Sequence, residues 1–206
     1  MKKVFLRTAA IASIAAAAFM AGPAQAADGT LTITGKIKSL TCTIGVTGDS
    51  DVTSGVGNLI TVPLGTFSTG TANLGGTGSY LGGKNFMVNL TGCTAPDSGK
   101  GLTLSFDTSS PNIDSSSGHL KNSLTTGAAL NLVAVVRATV GGTPPTGGAA
   151  GTTPIDFRAG PGSNNMPKGT NGANTAAFNF LVQFRTTGTV TAGDFQTSIP
   201  FAVDMK

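Results

Sequence analysis

The chain has 206 residues and a formal net charge of +4, with 30 glycines, 10 prolines and only 11% charged residues. Glutamate is absent, which excludes a coiled coil or helical bundle, because such proteins are rich in Glu, Lys, Leu and Ala. The glycines follow no period of three, so the chain is not collagen-like, and a hydrophobic content of 39% argues against disorder.

Residues 1–26 have the pattern of a secretory signal peptide. A basic start with Lys2, Lys3 and Arg7 precedes a short apolar run, and Ala24–Ala26 fits the small-x-small cleavage rule. The run is shorter than the roughly 20 residues that span a bilayer, so a transmembrane anchor is the weaker alternative. Without this basic leader the chain is close to neutral and has no Lys/Arg cluster, so nucleic acid is not a predicted partner.

The two cysteines become informative once export is predicted. The mature chain would start at Ala27, and Cys42 and Cys93 are its only cysteines. In an oxidising compartment such a pair predicts a disulfide, which would close a loop worth about 4 kcal/mol in the chain-entropy model. Two free thiols or half of a metal site are the alternatives, although no further ligand lies nearby in the sequence.

Alternating or compact apolar runs predict a series of strands. In chain order these are Leu31–Lys38, Cys42–Val46, Leu59–Phe67, Phe86–Leu90, Leu102–Phe106, Leu130–Val140, Ala177–Phe184 and Thr197–Met205. The predicted turns between them are Gly75–Gly78, Ser115–Gly118, Gly141–Thr153 and Ala159–Asn174. No segment after residue 26 keeps a helical period. Seven or so strands with one disulfide predict a single all-β domain with an immunoglobulin-like sandwich, without the buried Trp of antibody domains.

The sequence offers little material for catalysis or metal binding. His119 is the only histidine, and its polar surroundings predict a solvated loop residue rather than a member of a Ser-His-Asp arrangement. The pair Asp49 and Asp51 lacks the ligand count of a calcium loop. The segment Gly78–Asn85 imitates a phosphate-binding loop, but a strand follows it where that motif needs a helix. We therefore predict neither an enzyme nor a cofactor or metal site.

Both ends of the mature chain are amphipathic strands. Near the N-terminus, Leu31, Ile33 and Ile37 lie on one face, and the C-terminal face is formed by Ile199, Phe201, Val203 and Met205. An isolated strand with an apolar face must pair with something. Pattern alone also allows the alternative that both are ordinary strands of a self-contained sandwich.

At these residues the sequence resembles the chaperone–usher fimbrial subunits (type 1 pilin-like proteins) of Gram-negative bacteria. Gly29–Ile37 is similar to that family's N-terminal extension, and Gly35 precedes Cys42 by seven residues as the family's glycine precedes its first cysteine. Gly193 is fourteenth from the C-terminus, again as in that family. The likeness extends over the whole mature chain.

The resemblance implies an incomplete immunoglobulin-like sandwich, residues 39–206, that is completed by a donor strand from another subunit. Residues 27–38 would form the donor-strand extension, with Leu31, Ile33, Gly35 and Ile37 facing inward. The residues implied in the acceptor groove and in chaperone recognition are Gly193, Ile199, Phe201, Val203 and Met205. A chaperone strand would fill the groove first and the next subunit's extension afterwards, a form of β-augmentation for which pilins are a known example.

The family pattern is broken at two C-terminal positions. Met205 stands where the family usually has Tyr, and Pro200 removes one backbone donor from the last strand. Both changes bear on how the C-terminal strand pairs.

The predicted function is that of a structural subunit of an adhesive fimbria, exported through the periplasm to the cell surface. Its partners would be neighbouring copies, a periplasmic chaperone and an outer-membrane usher, and a head-to-tail contact that does not close yields a filament. The alternative is a secreted or periplasmic carbohydrate-binding β-sandwich, although Trp is absent and Tyr80 is the only tyrosine available to stack on a sugar. A secreted enzyme is a third, weaker hypothesis.

Overall fold

A computed structural model describes residues 26–37, 42–55, 58–93, 101–138, 154–159, 170–171 and 174–205. The predicted leader, apart from Ala26, and most of the two longest predicted turns lie outside these ranges. The described elements are β1 (Ala26–Ile37), β2 (Thr43–Gly48), β3 (Thr53–Gly55), β4 (Leu59–Ser68), α1 (Thr69–Leu74), β5 (Tyr80–Thr91), β6 (Leu102–Phe106), β7 (Leu120–Lys121), β8 (Leu132–Ala138), β9 (Thr170–Asn171), β10 (Ala176–Thr186) and β11 (Gly193–Met205).

The strands form two sheets that pack face to face, so the predicted immunoglobulin-like sandwich is confirmed. The first sheet has the order β3-β4-β1-β11-β6. The second has the order β2-β5-β10-β8-β7, and β9 pairs with β10 beside this path. Every second side chain of a strand points between the sheets. In β6 these side chains are Leu102, Leu104 and Phe106, and all three are buried.

Phenylalanines provide much of the core between the sheets. Phe86 and Phe180 stack with ring centroids 5.0 Å apart, while Phe106 meets Phe157 edge-on at the same distance. Edge-to-face and offset stacks are the favoured aromatic arrangements, because the ring faces are negative and the edges positive. The core is therefore filled without tryptophan.

The predicted disulfide is confirmed. Cys42 directly precedes β2 and Cys93 closely follows β5, and the two sulfurs are bonded. These strands are antiparallel neighbours with Thr43 opposite Thr91, so the bridge ties together the ends of two adjacent strands of the second sheet.

Some elements differ from the predicted ones because they are too short to show a period. Helix α1 has only six residues and begins after Ser68, whose side-chain oxygen accepts a hydrogen bond from Thr71 N at 3.1 Å.

The strand predicted to start at Leu130 starts two residues later. Asn131 adopts a left-handed φ of 60°, which breaks the extended chain and leaves Leu130 more than half exposed.

No helix in the described part of the chain is long and apolar enough to cross a membrane.

Candidate functional site

The predicted donor strand lies inside the chain's own sandwich. Strand β1 runs parallel to β11, with Ala27 opposite Gly193 and Ile37 opposite Val203, and antiparallel to β4. This differs from the sequence-based expectation that residues 27–38 stand outside the domain. The physical reason is that the apolar face of β1 needs burial, and in a single chain its own groove is the site that provides it.

The described inward side chains of β1 are buried. The exposed fraction of Leu31 is 0% and that of Ile33 is 2%, while Thr34 between the inward positions is exposed. Burying two such aliphatic side chains contributes about 1.5–3 kcal/mol each. Ile37 is paired through its backbone, and its side chain lies outside what the structure describes.

Gly35 is a point of close approach. A Cβ added there would lie 2.9 Å from Phe201 Cε2 and closer still to other atoms of that ring, so the ring occupies the space of a side chain. The Gly35 N–H donates to the Asn58 carbonyl at 3.1 Å. The irregularity in the pairing of β1 with β4 falls instead between Gly29 and Thr30. In its own sandwich, Gly35 is therefore required by packing and not by a bulge.

Gly29 is a second close approach, which the sequence reasoning missed. An added Cβ would lie 2.7 Å from Phe184 Cε2 and 3.3 Å from Leu64 Cβ. One sequence feature indicated this contact. Gly29 lies on the inward face, six residues before Gly35, at a position where alternation predicts an apolar side chain and the sequence has none.

Strand β11 forms one wall of the groove that β1 fills, and β4 forms the other. Phe195, Thr197, Ile199, Phe201 and Val203 alternate inward, and each is at most 2% exposed. Met205 pairs through its backbone with Leu102, and its side chain lies outside the description. The structure thus brings the predicted residues Ile199, Phe201 and Val203 together on the face that contacts β1.

Gly193 has a local structural role at the start of β11. Its φ of 148° is a conformation that side chains disfavour, and an added Cβ would come within 2.5 Å of the Ala128 backbone. The following residue fixes this contact through two hydrogen bonds of 2.8 Å, from Asp194 N to Gly127 O and from Ala129 N to Asp194 O. A glycine is needed here because another backbone segment touches the strand.

Pro200 does not interrupt β11. Its nitrogen carries no hydrogen, but that nitrogen lies just beyond the last paired residues of β11 and β6. The Pro200 carbonyl accepts a hydrogen bond from Asp107 N at 2.9 Å. Since both backbone groups of one strand residue point to the same side, the proline nitrogen also faces β6, one position beyond the last pair, Phe201 with Phe106. The pairing of β11 with β1 is left intact.

Strand β1 is the connection between two halves of the first sheet. It lies between β4 and β11, which are not neighbours of each other. Without β1 the sheet would separate into β3-β4 and β11-β6, with a groove between them. Two open strand edges and the apolar side chains beneath them would then face water.

His119 is buried, which corrects the expectation of a solvated loop residue. Its exposed fraction is 8%, and its Nδ1 atom has no hydrogen-bond partner among the described residues. The loop is held in place by Arg158, which donates from Nε and Nη2 to the two Asp156 carboxylate oxygens and from Nη1 to the carbonyls of Ser115 and Ser116. These hydrogen bonds fix the polar loop around His119 to residues 156–158.

Burial lowers the pKa of the His119 imidazole below its usual 6.5, and the positive charge of Arg185 acts in the same direction. A hydrogen bond with the Ile155 backbone and the carboxylates of Asp156 and Asp114 oppose this effect. Between the lowered pKa and 6.5 the unfolded chain binds more protons than the folded one. The free energy of unfolding should therefore fall as the pH drops below about 6.5.

We expect His119→Gln to reduce this acid sensitivity. The check is urea denaturation of both proteins at pH 7.5 and pH 5.0, since His119 is the only histidine and the carboxylates are common to both. The wild-type protein should lose more unfolding free energy between the two pH values than the variant. Equal losses would contradict the role assigned to burial.

The acidic pair of the sequence has structural partners. Asp51 forms an ion pair with Lys84 at 2.6 Å, and Asp49 Oδ2 accepts a hydrogen bond from Asn85 N at 3.0 Å. Among the described residues no group of three His, Cys, Asp or Glu side chains could hold a metal ion. The segment that imitates a phosphate-binding loop enters strand β5 at Tyr80, which leaves it no helix to bind phosphate.

The site is thus a two-sheet sandwich whose first sheet is joined by β1, the first described strand. The sequence is 29% identical over 181 residues to the major fimbrial subunit SMF-1 of Stenotrophomonas maltophilia (strain K279a), covering 87% of this chain and 94% of that protein. The resemblance to fimbrial subunits is confirmed by this match.

A type I fimbria protein and antigen of Burkholderia pseudomallei, known from its crystal structure, is also similar. It is 22% identical, the match covers 88% of this chain and 97% of that one, and the TM-score is 0.40. No protein-family model matches the sequence.

Proposed function

We propose that the protein is a structural subunit of a fimbria and polymerises head to tail by donor-strand exchange. The observation that carries this proposal is the position of β1, the first described strand, which fills a gap between β4 and β11. Once the predicted leader is removed, β1 is the end of the mature chain, so in this proposal it leaves the gap without unravelling the rest of the sheet and the same strand of another copy takes its place. The match to a major fimbrial subunit supports the same function.

The groove also accounts for the assembly partners in this proposal. A folded chain with β1 withdrawn exposes two strand edges and an apolar cleft, which is an aggregation hazard in the periplasm. A periplasmic chaperone that inserts a strand of its own would protect the cleft during export, and an outer-membrane usher would exchange it for the β1 of the next subunit. The assembled fimbria would stand on the cell surface and mediate attachment.

The test is negative-stain microscopy of material sheared from cells that express the chain together with its chaperone and usher. We expect filaments that contain this chain and dissociate into ladders on unboiled gels. The double variant Leu31→Asp/Ile33→Asp, which places charges on the buried face of β1, should abolish both. The matched variant Thr34→Asp, at an exposed position of the same strand, should keep both. Absence of filaments from the wild-type chain would refute the proposal.

A further inference from the structure

One polar side chain points into the groove that β1 fills. Thr197 lies on the inward face of β11, and its exposed fraction is 0%. Its neighbour on β1 is Leu31, which lies opposite Val62 of β4. The other described side chains that are buried on the inward face of these three strands are all apolar: Leu31, Ile33, Ile60, Val62, Leu64, Phe195, Ile199, Phe201 and Val203.

The hydroxyl of Thr197 is buried without a hydrogen bond. Its Oγ1 atom has no partner among the described residues. A hydroxyl that moves from water into apolar surroundings loses its hydrogen bonds to water, and here no protein group replaces them. Most buried polar side chains in native proteins do have a partner, so an exception at this place requires an explanation.

A second buried threonine shows the usual arrangement. Thr186, at the end of β10, is 1% exposed. Its Oγ1 atom donates to the Gly76 carbonyl at 2.6 Å and accepts a hydrogen bond from Ser79 N at 3.0 Å. Of the two buried threonines in the described part of the chain, only the one in the groove has an unpaired hydroxyl.

The hydroxyl of Thr197 is unpaired only while the groove is closed. Withdrawal of β1 removes Leu31 from its side and opens the edge of β11, so water can bond to Oγ1. The aliphatic side chains of the groove favour the closed state, because closure removes them from water. The threonine hydroxyl favours the open state for the opposite reason.

We propose that Thr197 controls how readily a strand leaves the groove: its unpaired hydroxyl destabilises the closed groove and thereby speeds strand exchange. This inference rests on the proposed function and adds a residue that sets its rate. Thr197 belongs to the wall of the groove and not to the inserted strand. It therefore weakens the hold on any strand that presents an apolar side chain at this point, whichever chain the strand comes from.

The first test is hydrogen exchange of the β1 amides, followed by mass spectrometry of the full chain without its predicted leader. Thr197→Val keeps the shape of the side chain and removes the hydroxyl. The β1 amides exchange when the strand detaches, so this variant should slow their exchange by roughly five- to 150-fold, the effect of removing an unsatisfied buried group.

Two matched variants separate the hydroxyl from other effects. Thr186→Val removes a bonded hydroxyl and leaves Ser79 N and the Gly76 carbonyl without their partner, so amide exchange should become faster. Thr197→Ser keeps the hydroxyl in the groove and removes only a methyl group, so exchange should be no slower than in the wild-type chain.

The second test measures the capture of a biotinylated peptide of residues 26–37 by the same full chains. The chain's own β1 must leave before the peptide can enter, so with excess peptide the capture rate reports groove opening. Thr197→Val should capture the peptide at least about fivefold more slowly than the wild-type chain, and Thr197→Ser should not.

Amide exchange or peptide capture at the wild-type rate in Thr197→Val would overturn the inference. Equal slowing by Thr186→Val would also overturn it, because a bonded hydroxyl would then have the same effect as the unpaired one. Neither test requires filaments. Wild-type cells without filaments would refute the proposed function itself, and the comparison of β1 amide exchange would still decide the role of Thr197.

Discussion

Deletion of residues 27–37 should leave a chain that cannot fold stably by itself. The deletion removes both ladders of β1 and the burial of Leu31 and Ile33, which alone are worth about 3–6 kcal/mol in total. That is comparable with the whole net stability of an ordinary domain, roughly 5–15 kcal/mol. Circular dichroism and amide hydrogen exchange should report loss of the cooperative fold, although the bond between Cys42 and Cys93 remains.

A synthetic peptide with the sequence of residues 26–37 should restore the fold of the truncated chain. The groove has two open strand edges and an apolar floor. The peptide pairs with both edges and covers the floor with Leu31 and Ile33. A peptide with Leu31→Asp and Ile33→Asp is the matched control and should have no effect. A truncated chain that unfolds at the wild-type denaturant concentration without any peptide would mean that β1 contributes little to stability.

Gly35→Asn should both destabilise the isolated chain and prevent assembly. If residues 27–38 lay outside the sandwich, as the family resemblance implies, the fold would survive this change. In the structure an added Cβ at Gly35 runs into the Phe201 ring, and overpacking of a filled core costs about 1–3 kcal/mol or more. Chemical denaturation of the purified chain should show this loss, and ladders with the variant as donor should be absent from unboiled gels.

Thr34→Asn is the control for Gly35→Asn. It adds the same side chain one position away, where β1 faces solvent, and should change the unfolding free energy by less than about 0.5 kcal/mol. If Gly35→Asn were as mild as Thr34→Asn, the ring of Phe201 would have to move aside at little cost, and the glycine would not be a packing requirement.

Alternation predicted the strands that carry the groove, because each has one buried and one open face. The inward positions of β1 and the last strand from Thr197 onward agree with the structure, and the paired cysteines predicted the bridge between β2 and β5. What alternation cannot specify is the strand that β1 pairs with. Under the proposed function the same apolar face is buried either in its own groove or in that of another copy, and a pattern on one strand contains no information on this choice.

Local polarity was a poor guide to the loop around His119. Its neighbours Ser117 and Gly118 are typical of a solvent-exposed turn, yet the histidine is covered because Arg158, distant in sequence, fixes the loop against the sandwich. The role of Gly29 was missed for a related reason. Its requirement comes from the ring of Phe184 on the opposite sheet, a contact that the sequence near residue 29 does not contain.

The pairing of β1 with β11 also has a consequence for the time course of folding. It joins the first described strand to the last one, so almost the whole chain must be present before this ladder can form. A contact between residues distant in sequence requires closure of a long loop, and the entropy of closure is lost before the contact stabilises the fold. Such contacts therefore slow folding. The bridged strands β2 and β5 lie much nearer to each other in the sequence than β1 and β11 do and should associate earlier, whereas the first sheet is completed late. During that interval the cleft is vacant, and the speed of closure determines how long a strand from another protein has to enter it.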